Sequence, residues 1–174
     1  MITLTTPISE CDVLSLKAGD KVLLNGVIYT ARDQAHMRLI NEDSFPFNIE
    51  GAVFYYVGPT PARPDQVIGS SGPTSSYRMD TLAIPLMKKG LKMMIGKGNR
   101  SEKFRQAMIK EKAIYLIATG GAGALLSSKI KSSKVIMYDD LGTEAIRELV
   151  VKDFPCFVAY DLNGNQIFHT GKNN

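Results

Sequence analysis

The sequence predicts an α/β fold built on a mixed β-sheet, and two patterns favour it. Strand-like and helix-like segments alternate through the C-terminal two-thirds, which is typical of parallel strands connected by helices. Asn-Gly pairs between apolar runs occur near both ends of the chain and predict hairpins, which would add antiparallel strands. At 174 residues, 44% of them hydrophobic, the chain is expected to form a single domain over 1–174 with a buried core.

The N-terminal third is expected to be rich in β-structure. The segment 21–30 contains Asn25-Gly26 between two apolar runs, which predicts a hairpin. Helical spacing of apolar residues predicts a helix over 31–41. The β-branched and aromatic run at 52–57 predicts a buried strand.

The later elements are predicted from the same signals. A helix is expected over 75–89, with Pro85 as an internal breaker and Gly90 just past its end. Further strands are predicted at 92–95, 113–118 and 134–138, and further helices at 101–110, 122–130 and 143–152. The chain is expected to end in a second hairpin, with strands 156–160 and 166–169 around the turn at 161–165.

The segment 69–80 is the most informative for function because it combines turn-forming, hydroxyl and cationic residues. Thr74 follows Gly72-Pro73 and is expected to cap the next helix, with Arg78 one turn away on the same face. A hydroxyl, a guanidinium and free N–H groups would then meet at a helix N-terminus, which is a site for a carboxylate or phosphate. A second loop, Gly96-Lys97-Gly98, places a lysine between glycines but is not a P-loop.

Five motifs make the chain similar to one family, and they occur in the family's order over most of the sequence. They are Tyr29-Thr-Ala-Arg-Asp-Gln-Ala-His36, Gly58-Pro-Thr-Pro61, Gly72-Pro-Thr-Ser-Ser-Tyr-Arg-Met-Asp80, Gly96-Lys-Gly-Asn-Arg100 and Gly120-Gly-Ala-Gly123. The chain resembles the beta subunit of the two-subunit class I fumarases and L-tartrate dehydratases, which are iron–sulfur hydro-lyases. The resemblance implies a swivelling β/β/α domain with a mixed sheet.

The resemblance also implies roles for four residues. Thr74 would take or return the carbon-bound proton, and the substrate carboxylates would be bound by Arg32, Arg78 and Lys97. A threonine hydroxyl is a poor base in water, so it would need a dry, electropositive site. Each residue also has a structural interpretation: Thr74 as a helix cap, Lys97 as a turn residue, and Arg32 and Arg78 as surface arginines.

Four further residues are candidates on weaker grounds. Asp33 would orient Arg32, and Ser75 adjoins Thr74. Arg100 is expected to act as a capping or subunit-contact residue. His36 lies one helical turn beyond Arg32 and could take part in proton transfer, although a lone histidine is more often structural. His169 has no partner motif and is expected to be structural.

The cysteines bear on the cofactor. Cys11 and Cys156 are the only two, they form no CxxC pair, and they are too few for the usual cysteine ligation of an iron–sulfur cluster. The resemblance implies a 4Fe-4S cluster, which is therefore expected on an alpha subunit, with no metal held by this chain. Both thiols are expected to be unpaired. This chain and the alpha subunit are expected to form a heteromer, such as a dimer of heterodimers.

Composition argues against several other classes. The net charge is +4 and the pI about 9.0, but the basic residues are scattered and no nucleic-acid-binding motif accompanies them. The apolar runs are too short to cross a bilayer and no signal peptide is recognisable, so a cytoplasmic protein without membrane or nucleic-acid partners is expected. The segment 121–126 has Leu where a dinucleotide-binding motif has its third glycine, which favours a tight turn instead.

The function expected from the resemblance is reversible hydration of fumarate to L-malate by this chain and an alpha subunit together. Two alternatives stay open at this point: a beta subunit of L-tartrate dehydratase, and a non-catalytic module that binds a dicarboxylate or assists assembly. Retention of Thr74, Arg78 and Lys97 favours an enzyme over the non-catalytic module.

Overall fold

Within residues 1–118 and 123–168, which the computed structural model describes, seven β-strands form one mixed sheet. The strands are β1 (Ile2–Thr5), β2 (Lys21–Thr30), β3 (Val53–Tyr55), β4 (Met93–Gly96), β5 (Ile114–Ile117), β6 (Ile130–Met137) and β7 (Ile146–Tyr160). The α-helices are α1 (Glu10–Ser15), α2 (Asp33–Leu39), α3 (Asp80–Lys88), α4 (Glu102–Lys110) and α5 (Gly123–Ser128). Two 3₁₀ helices cover Ser76–Met79 and Asp139–Glu144.

The sheet closes into a barrel-like ring because β2 pairs with both β3 and β7. The pairs formed among β1 to β5 are all parallel. β7 is antiparallel to each of its three partners, β2, β5 and β6. β1 and β6 lie outside the ring as edge strands. The carboxyl ends of β2, β3, β4 and β5 therefore meet at one edge of the sheet, which we call the carboxyl rim.

Alternate strand residues divide the core into two clusters, as expected for side chains that point to opposite faces of a sheet. One cluster contains Val53 and Tyr55 of β3 and also takes in side chains of α1 and α5. The other contains Phe54 of β3 and packs against α2, α3 and α4. Because both faces of the parallel strands are covered, the loops at the carboxyl rim sit on a rigid base.

Most predicted elements are confirmed to within a few residues. These are the strands at 52–57, 92–95, 113–118 and 134–138, and the helices at 31–41, 101–110 and 122–130. The helix expected over 75–89 begins instead as a 3₁₀ helix, Ser76–Met79, and continues as α3 through Pro85 to Lys88. No helix in the described ranges combines the length and apolar character needed to cross a bilayer.

The prediction of a helix over 143–152 is wrong, because most of this segment belongs to β7. Its residues pair with β2 on one side and β6 on the other, with Val150 opposite both Val27 and Ser132. Leu and Glu in this segment suit a helix, but a position between two strands overrides that preference.

The prediction of a hairpin at Asn25-Gly26 is also wrong, since β2 continues through both residues. A register shift against β7 occurs between Leu24 and Gly26, and Gly26 has a φ of 104°. This glycine therefore makes a bulge in the strand instead of a turn. The second Asn-Gly segment does form a turn, and it brings Gln166 into a bridge with Tyr160. His169 lies outside the described residues.

Candidate functional site at the carboxyl rim

Thr74 is fixed at the carboxyl rim by the end of β3. Its N–H group donates to the carbonyl oxygen of Tyr56 over 2.8 Å, and its hydroxyl donates to the same oxygen over 3.2 Å. The side chain is half-buried. The hydroxyl proton is thus directed at a carbonyl, which leaves the lone pairs of Oγ1 on the other side of the oxygen.

The residues after Thr74 pair with the loop that follows β4. Ser75 forms a parallel bridge with Lys97, and the Ser76 N–H donates to the Lys97 carbonyl oxygen over 3.0 Å. In return, the Lys97 N–H donates to Ser76 Oγ over 2.9 Å. Thr74 and Lys97 are therefore held on adjacent backbone segments.

Gly96 makes this close approach possible. A Cβ at this position would overlap Ser76 Oγ and lie 2.9 Å from the Tyr56 ring. The hydroxyls of Ser76 and Tyr115 are also hydrogen-bonded over 2.8 Å, and Tyr115 donates to the Gly98 carbonyl oxygen over 2.7 Å. The backbone of the lysine loop is therefore fixed from below by buried hydroxyl groups.

Arg100 is buried below the same loop, so the expectation of a subunit contact through its side chain is wrong. Its Nε donates to Asp80, whose other carboxylate oxygen accepts from the Ser101 N–H over 2.7 Å. The guanidinium carbon lies 3.5 Å from the centre of the Phe104 ring and 4.8 Å from that of Tyr115. A buried, paired and stacked arginine of this kind joins the loop after β4 to the start of α3.

Arg32 is the last residue before α2, as predicted, and reaches the rim from the end of β2. Its side chain lies over Gly58, where a Cβ would be 3.1 Å from both Cδ and Nη1. Its Nε is 3.8 Å from a carboxylate oxygen of Asp33 and 3.7 Å from one of Glu144. Asp33 is thus within ion-pair distance of Arg32, as expected, and Glu144 was not anticipated.

His36 is buried below Arg32. Its Nδ1 donates to the Arg32 carbonyl oxygen over 2.7 Å, and the edges of Phe54 and Tyr56 pack around the ring. Burial lowers the pKa of His36 from 6.5 to about 4, so the imidazole is neutral at pH 7. These contacts support the structural interpretation of His36 and make it a determinant of the Arg32 backbone position.

The expectation that Thr74 caps a helix and shares a face with Arg78 is wrong. The 3₁₀ helix begins at Ser76, and the residue at its N-cap, Ser75, makes no side-chain capping hydrogen bond. Thr74 precedes that helix and is bonded to β3 instead. Arg78 lies on the 3₁₀ helix, and its side chain is exposed. The side chain of Lys97, on the loop after β4, is exposed as well.

A cavity of about 320 Å³ lies between the segment 59–69 and the 3₁₀ helix Asp139–Glu144. Thr143 and Arg147 contribute to its walls, whereas Thr74, Arg78 and Lys97 do not. The three predicted rim residues therefore lie outside this cavity. The glycine motif at 120–123 falls almost wholly outside the described residues, so only Gly123, the first residue of α5, can be placed.

The residues of this chain do not fit an iron–sulfur cluster. Cys11 is exposed on α1, whereas Cys156 is buried on β7 with its Sγ 3.7 Å from the Val22 carbonyl oxygen. Burial raises the pKa of the Cys156 thiol, which disfavours the thiolate needed for iron. In the described parts of the chain, no three His, Cys, Asp or Glu side chains are grouped so that they could hold a metal ion.

The chain is a mixed α/β protein with cationic and hydroxyl side chains on loops at the carboxyl ends of parallel strands, the edge at which α/β proteins commonly bind ligands. The chain matches the family described as Fumarase C-terminus over residues 1–171, and it belongs to that family.

Three relatives illustrate the family. Fumarate hydratase class I, aerobic, of Escherichia coli is 35% identical over 175 residues, which cover 96% of this chain and 32% of that protein. Fumarate hydratase 2 of Leishmania major is 34% identical over 157 residues, which cover 86% of this chain and 28% of that protein. L(+)-tartrate dehydratase subunit beta of E. coli is 29% identical over 175 residues, covering 97% and 87%. The chain thus spans about a third of the length of these fumarate hydratases and most of the tartrate dehydratase subunit.

Asp80 and Arg100 each end a family-like motif, which is a sequence signal for the two residues, although nothing in the sequence shows that they form an ion pair. No comparable signal marks Glu144, because it lies in none of the five motifs.

Proposed function

We propose that this chain is the beta subunit of a hydro-lyase that converts fumarate and L-malate into one another together with an alpha subunit. The observation that carries the proposal is the backbone pairing of 74–76 with Lys97, which puts a polarised hydroxyl beside a cationic loop at the carboxyl rim. The relative named as a beta subunit of L(+)-tartrate dehydratase supports the two-chain arrangement.

In this proposal the substrate carboxylates bind to Arg32, Arg78 and Lys97. An arginine offers a planar pair of donors to a carboxylate, whereas the lysine offers a point charge. Arg78 and Lys97 are exposed in the chain by itself, so a second protein surface must cover them before the site becomes dry. We assign that surface to the alpha subunit, in a dimer of such heterodimers.

Thr74 transfers the proton. In the direction from malate, Thr74 acts as an alkoxide whose hydroxyl proton has been released to solvent. Oγ1 takes a proton from the carbon next to a carboxylate and becomes the hydroxyl again, and the electron pair left on that carbon spreads onto the carboxylate held by the cations. Loss of hydroxide from the neighbouring carbon then forms the double bond. The same hydroxyl returns the proton in the direction from fumarate. The backbone contacts of Thr74 to Tyr56 fix the oxygen, so little reorganisation is needed on proton transfer.

The 4Fe-4S cluster of this enzyme class is assigned to the alpha subunit, since this chain's cysteines do not fit it. No step performed by this chain depends on the cluster directly. The two free thiols also accord with a reducing, cytoplasmic location, which we include in the proposal.

The relative named as a tartrate dehydratase subunit favours one second candidate, a beta subunit that acts on L-tartrate. One experiment separates the two. The chain is co-expressed with an alpha subunit of this enzyme class, the cluster is reconstituted without oxygen, and rates are measured on L-malate, fumarate and both enantiomers of tartrate. Turnover of malate and fumarate above that of tartrate is the expected result. Binding of dicarboxylates without turnover of any of them would make the chain a non-catalytic module.

A further inference from the structure

The Nε atom of Arg32 and one carboxylate oxygen of Glu144 are each buried without a hydrogen-bond partner among the described residues. They lie 3.7 Å apart, while the side chains as a whole are 25% and 23% exposed. Buried polar atoms are nearly always hydrogen-bonded, so two opposite charges left in this way at one place call for a reason.

The separation of these two atoms is an ion-pair distance and is too long for a hydrogen bond. On the other side of the guanidinium, the absence of a side chain at Gly58 leaves room for Cδ and Nη1. Arg32 is thus in contact with Gly58 on one side, and its Nε faces the carboxylates of Glu144, at 3.7 Å, and of its chain neighbour Asp33, at 3.8 Å.

Glu144 is itself held in place relative to Arg32. It ends the 3₁₀ helix Asp139–Glu144, and the next residue, Ala145, accepts a hydrogen bond from the hydroxyl of Thr30 over 3.2 Å. The same hydroxyl accepts from the Arg147 N–H over 2.9 Å. Thr30 is buried and lies two residues before Arg32, so one side chain fixes both the end of β2 and the segment that carries Glu144.

We propose that Glu144 is a positioning residue for Arg32. Its carboxylate pairs with the Nε of Arg32 and so leaves the terminal nitrogens, Nη1 and Nη2, to bind one carboxylate of the substrate. The inference rests on the proposed function, in which Arg32 is a carboxylate ligand. Glu144 lies in the segment just before β7, whereas the sequence motifs place the site residues only on the loops after β2, β3 and β4.

Asp140 provides a control because it lies in the same segment, Asp139–Glu144, on the other side of the kink at Gly142, and pairs with Arg38 of α2. Its two oxygens bind Arg38 over 2.9 Å and 2.6 Å, but that pair is exposed. Asp140→Asn therefore removes the same charge from the same element without touching Arg32. Glu144→Gln keeps the shape of the side chain, and Glu144→Asp keeps its charge.

The first measurement uses the 174-residue chain and NMR of the arginine Nε–Hε groups. The Arg32 signal is assigned by its loss in Arg32→Lys. We expect its exchange with solvent to become about tenfold faster in Glu144→Gln, because the carboxylate 3.7 Å from Nε repels the hydroxide that catalyses exchange, and to be unchanged in Asp140→Asn. Equal exchange in Glu144→Gln and the unmodified chain would overturn the pairing.

The second measurement uses the reconstituted complex with an alpha subunit. We expect Glu144→Gln to raise KM for malate about tenfold while kcat changes by less than about threefold, with partial rescue in Glu144→Asp. A lower KM in Glu144→Gln would mean that Glu144 competes with the substrate for Arg32, which overturns the proposal. If the unmodified complex lacks hydratase activity, the proposed function fails, and the NMR result alone decides whether Glu144 positions Arg32.

Discussion

Thr74 makes two hydrogen bonds to a single carbonyl oxygen, and only one of them depends on its side chain. Thr74→Val keeps the shape and the backbone contact but loses the hydroxyl. Because the side-chain bond is neutral and half-buried, we expect the free energy of unfolding to fall by only about 1 kcal/mol. If the hydroxyl transfers the proton, turnover of the complex should fall about a hundredfold or more.

Thr74→Ser is the control, because it keeps the hydroxyl at the same position. Solvent-deuterium exchange into malate reports C–H cleavage directly and should fall in Thr74→Val together with turnover, while Thr74→Ser retains both. Exchange at the normal rate in Thr74→Val would assign the base to a residue of the partner subunit.

His36 predicts a pH dependence of stability. Its pKa is about 4 in the folded chain against an ordinary 6.5, because burial disfavours the charged ring. Between these values the unfolded chain binds a proton that the folded chain does not, so stability falls as the pH drops below 6.5. Between pH 7.5 and 4.5 this group should remove about 2 kcal/mol from the free energy of unfolding.

The variant His36→Asn isolates that contribution, since its amide can donate to the Arg32 carbonyl oxygen but does not titrate in this range. Urea denaturation of both chains at pH 7.5 and 4.5 gives the two slopes. The unmodified chain should lose about 2 kcal/mol more than His36→Asn over this range. Equal losses would show that the ring becomes charged in the folded state at little cost.

The family resemblance named the candidate side chains, and their roles stay predictions, but neither it nor residue spacing predicted how each one is held. Arg32 lies at the start of a helix, in agreement with the sequence, whereas the pairing of Ser75 with Lys97 was not anticipated. The predicted capping role of Thr74 was wrong because a Ser, Thr or Asn before a helix is only a local signal. The bond of Thr74 to Tyr56 joins residues 18 apart in sequence, so it depends on how the intervening loop returns to the end of β3.

At the scale of elements, the ion pair of Asp80 with Arg100 connects the two loops that carry the proposed ligands. Asp80→Asn keeps the size of the side chain but leaves the buried guanidinium without a charged partner. We expect the free energy of unfolding to fall by about 3–5 kcal/mol, measured by chemical denaturation. Asp140→Asn, which breaks an exposed pair with Arg38, should change stability little.

A second variant tests whether the loss comes from the unpaired charge. In Asp80→Asn/Arg100→Met both charges are absent, so a large part of the lost stability should return. If Asp80→Asn is no less stable than Asp140→Asn, the buried pair does not hold the two loops together.

Elements were predicted well where the signal is local and poorly where it depends on neighbours. The parallel strands β3, β4 and β5 are short apolar runs bounded by turns, and all three were found. β7 was missed over its first half because pairing on both sides decides its conformation. The bulge at Gly26 was read as a turn because Asn-Gly is common in hairpins, and only the register against β7 shows a continuous strand.

At the scale of the whole chain, ring closure depends on β2 meeting β7, two strands far apart in sequence. No local pattern encodes such a contact, so the sequence predicted a mixed sheet but not its closure. Closure also determines the surroundings of the cysteines, since it buries Cys156 while Cys11 stays exposed on α1.

The two thiols should differ in reactivity, because Cys11 is exposed and Cys156 is buried. In the folded chain, a thiol reagent should label Cys11 rapidly and Cys156 only on unfolding, because burial protects the Cys156 thiol and raises its pKa. After anaerobic treatment with iron and sulfide, the chain alone should therefore contain no stoichiometric cluster and show no hydratase activity, whereas the complex with an alpha subunit should gain both. Iron and sulfide assays, with visible absorbance, measure the outcome. A stoichiometric cluster in the chain alone would place the metal site here and refute its assignment to the partner.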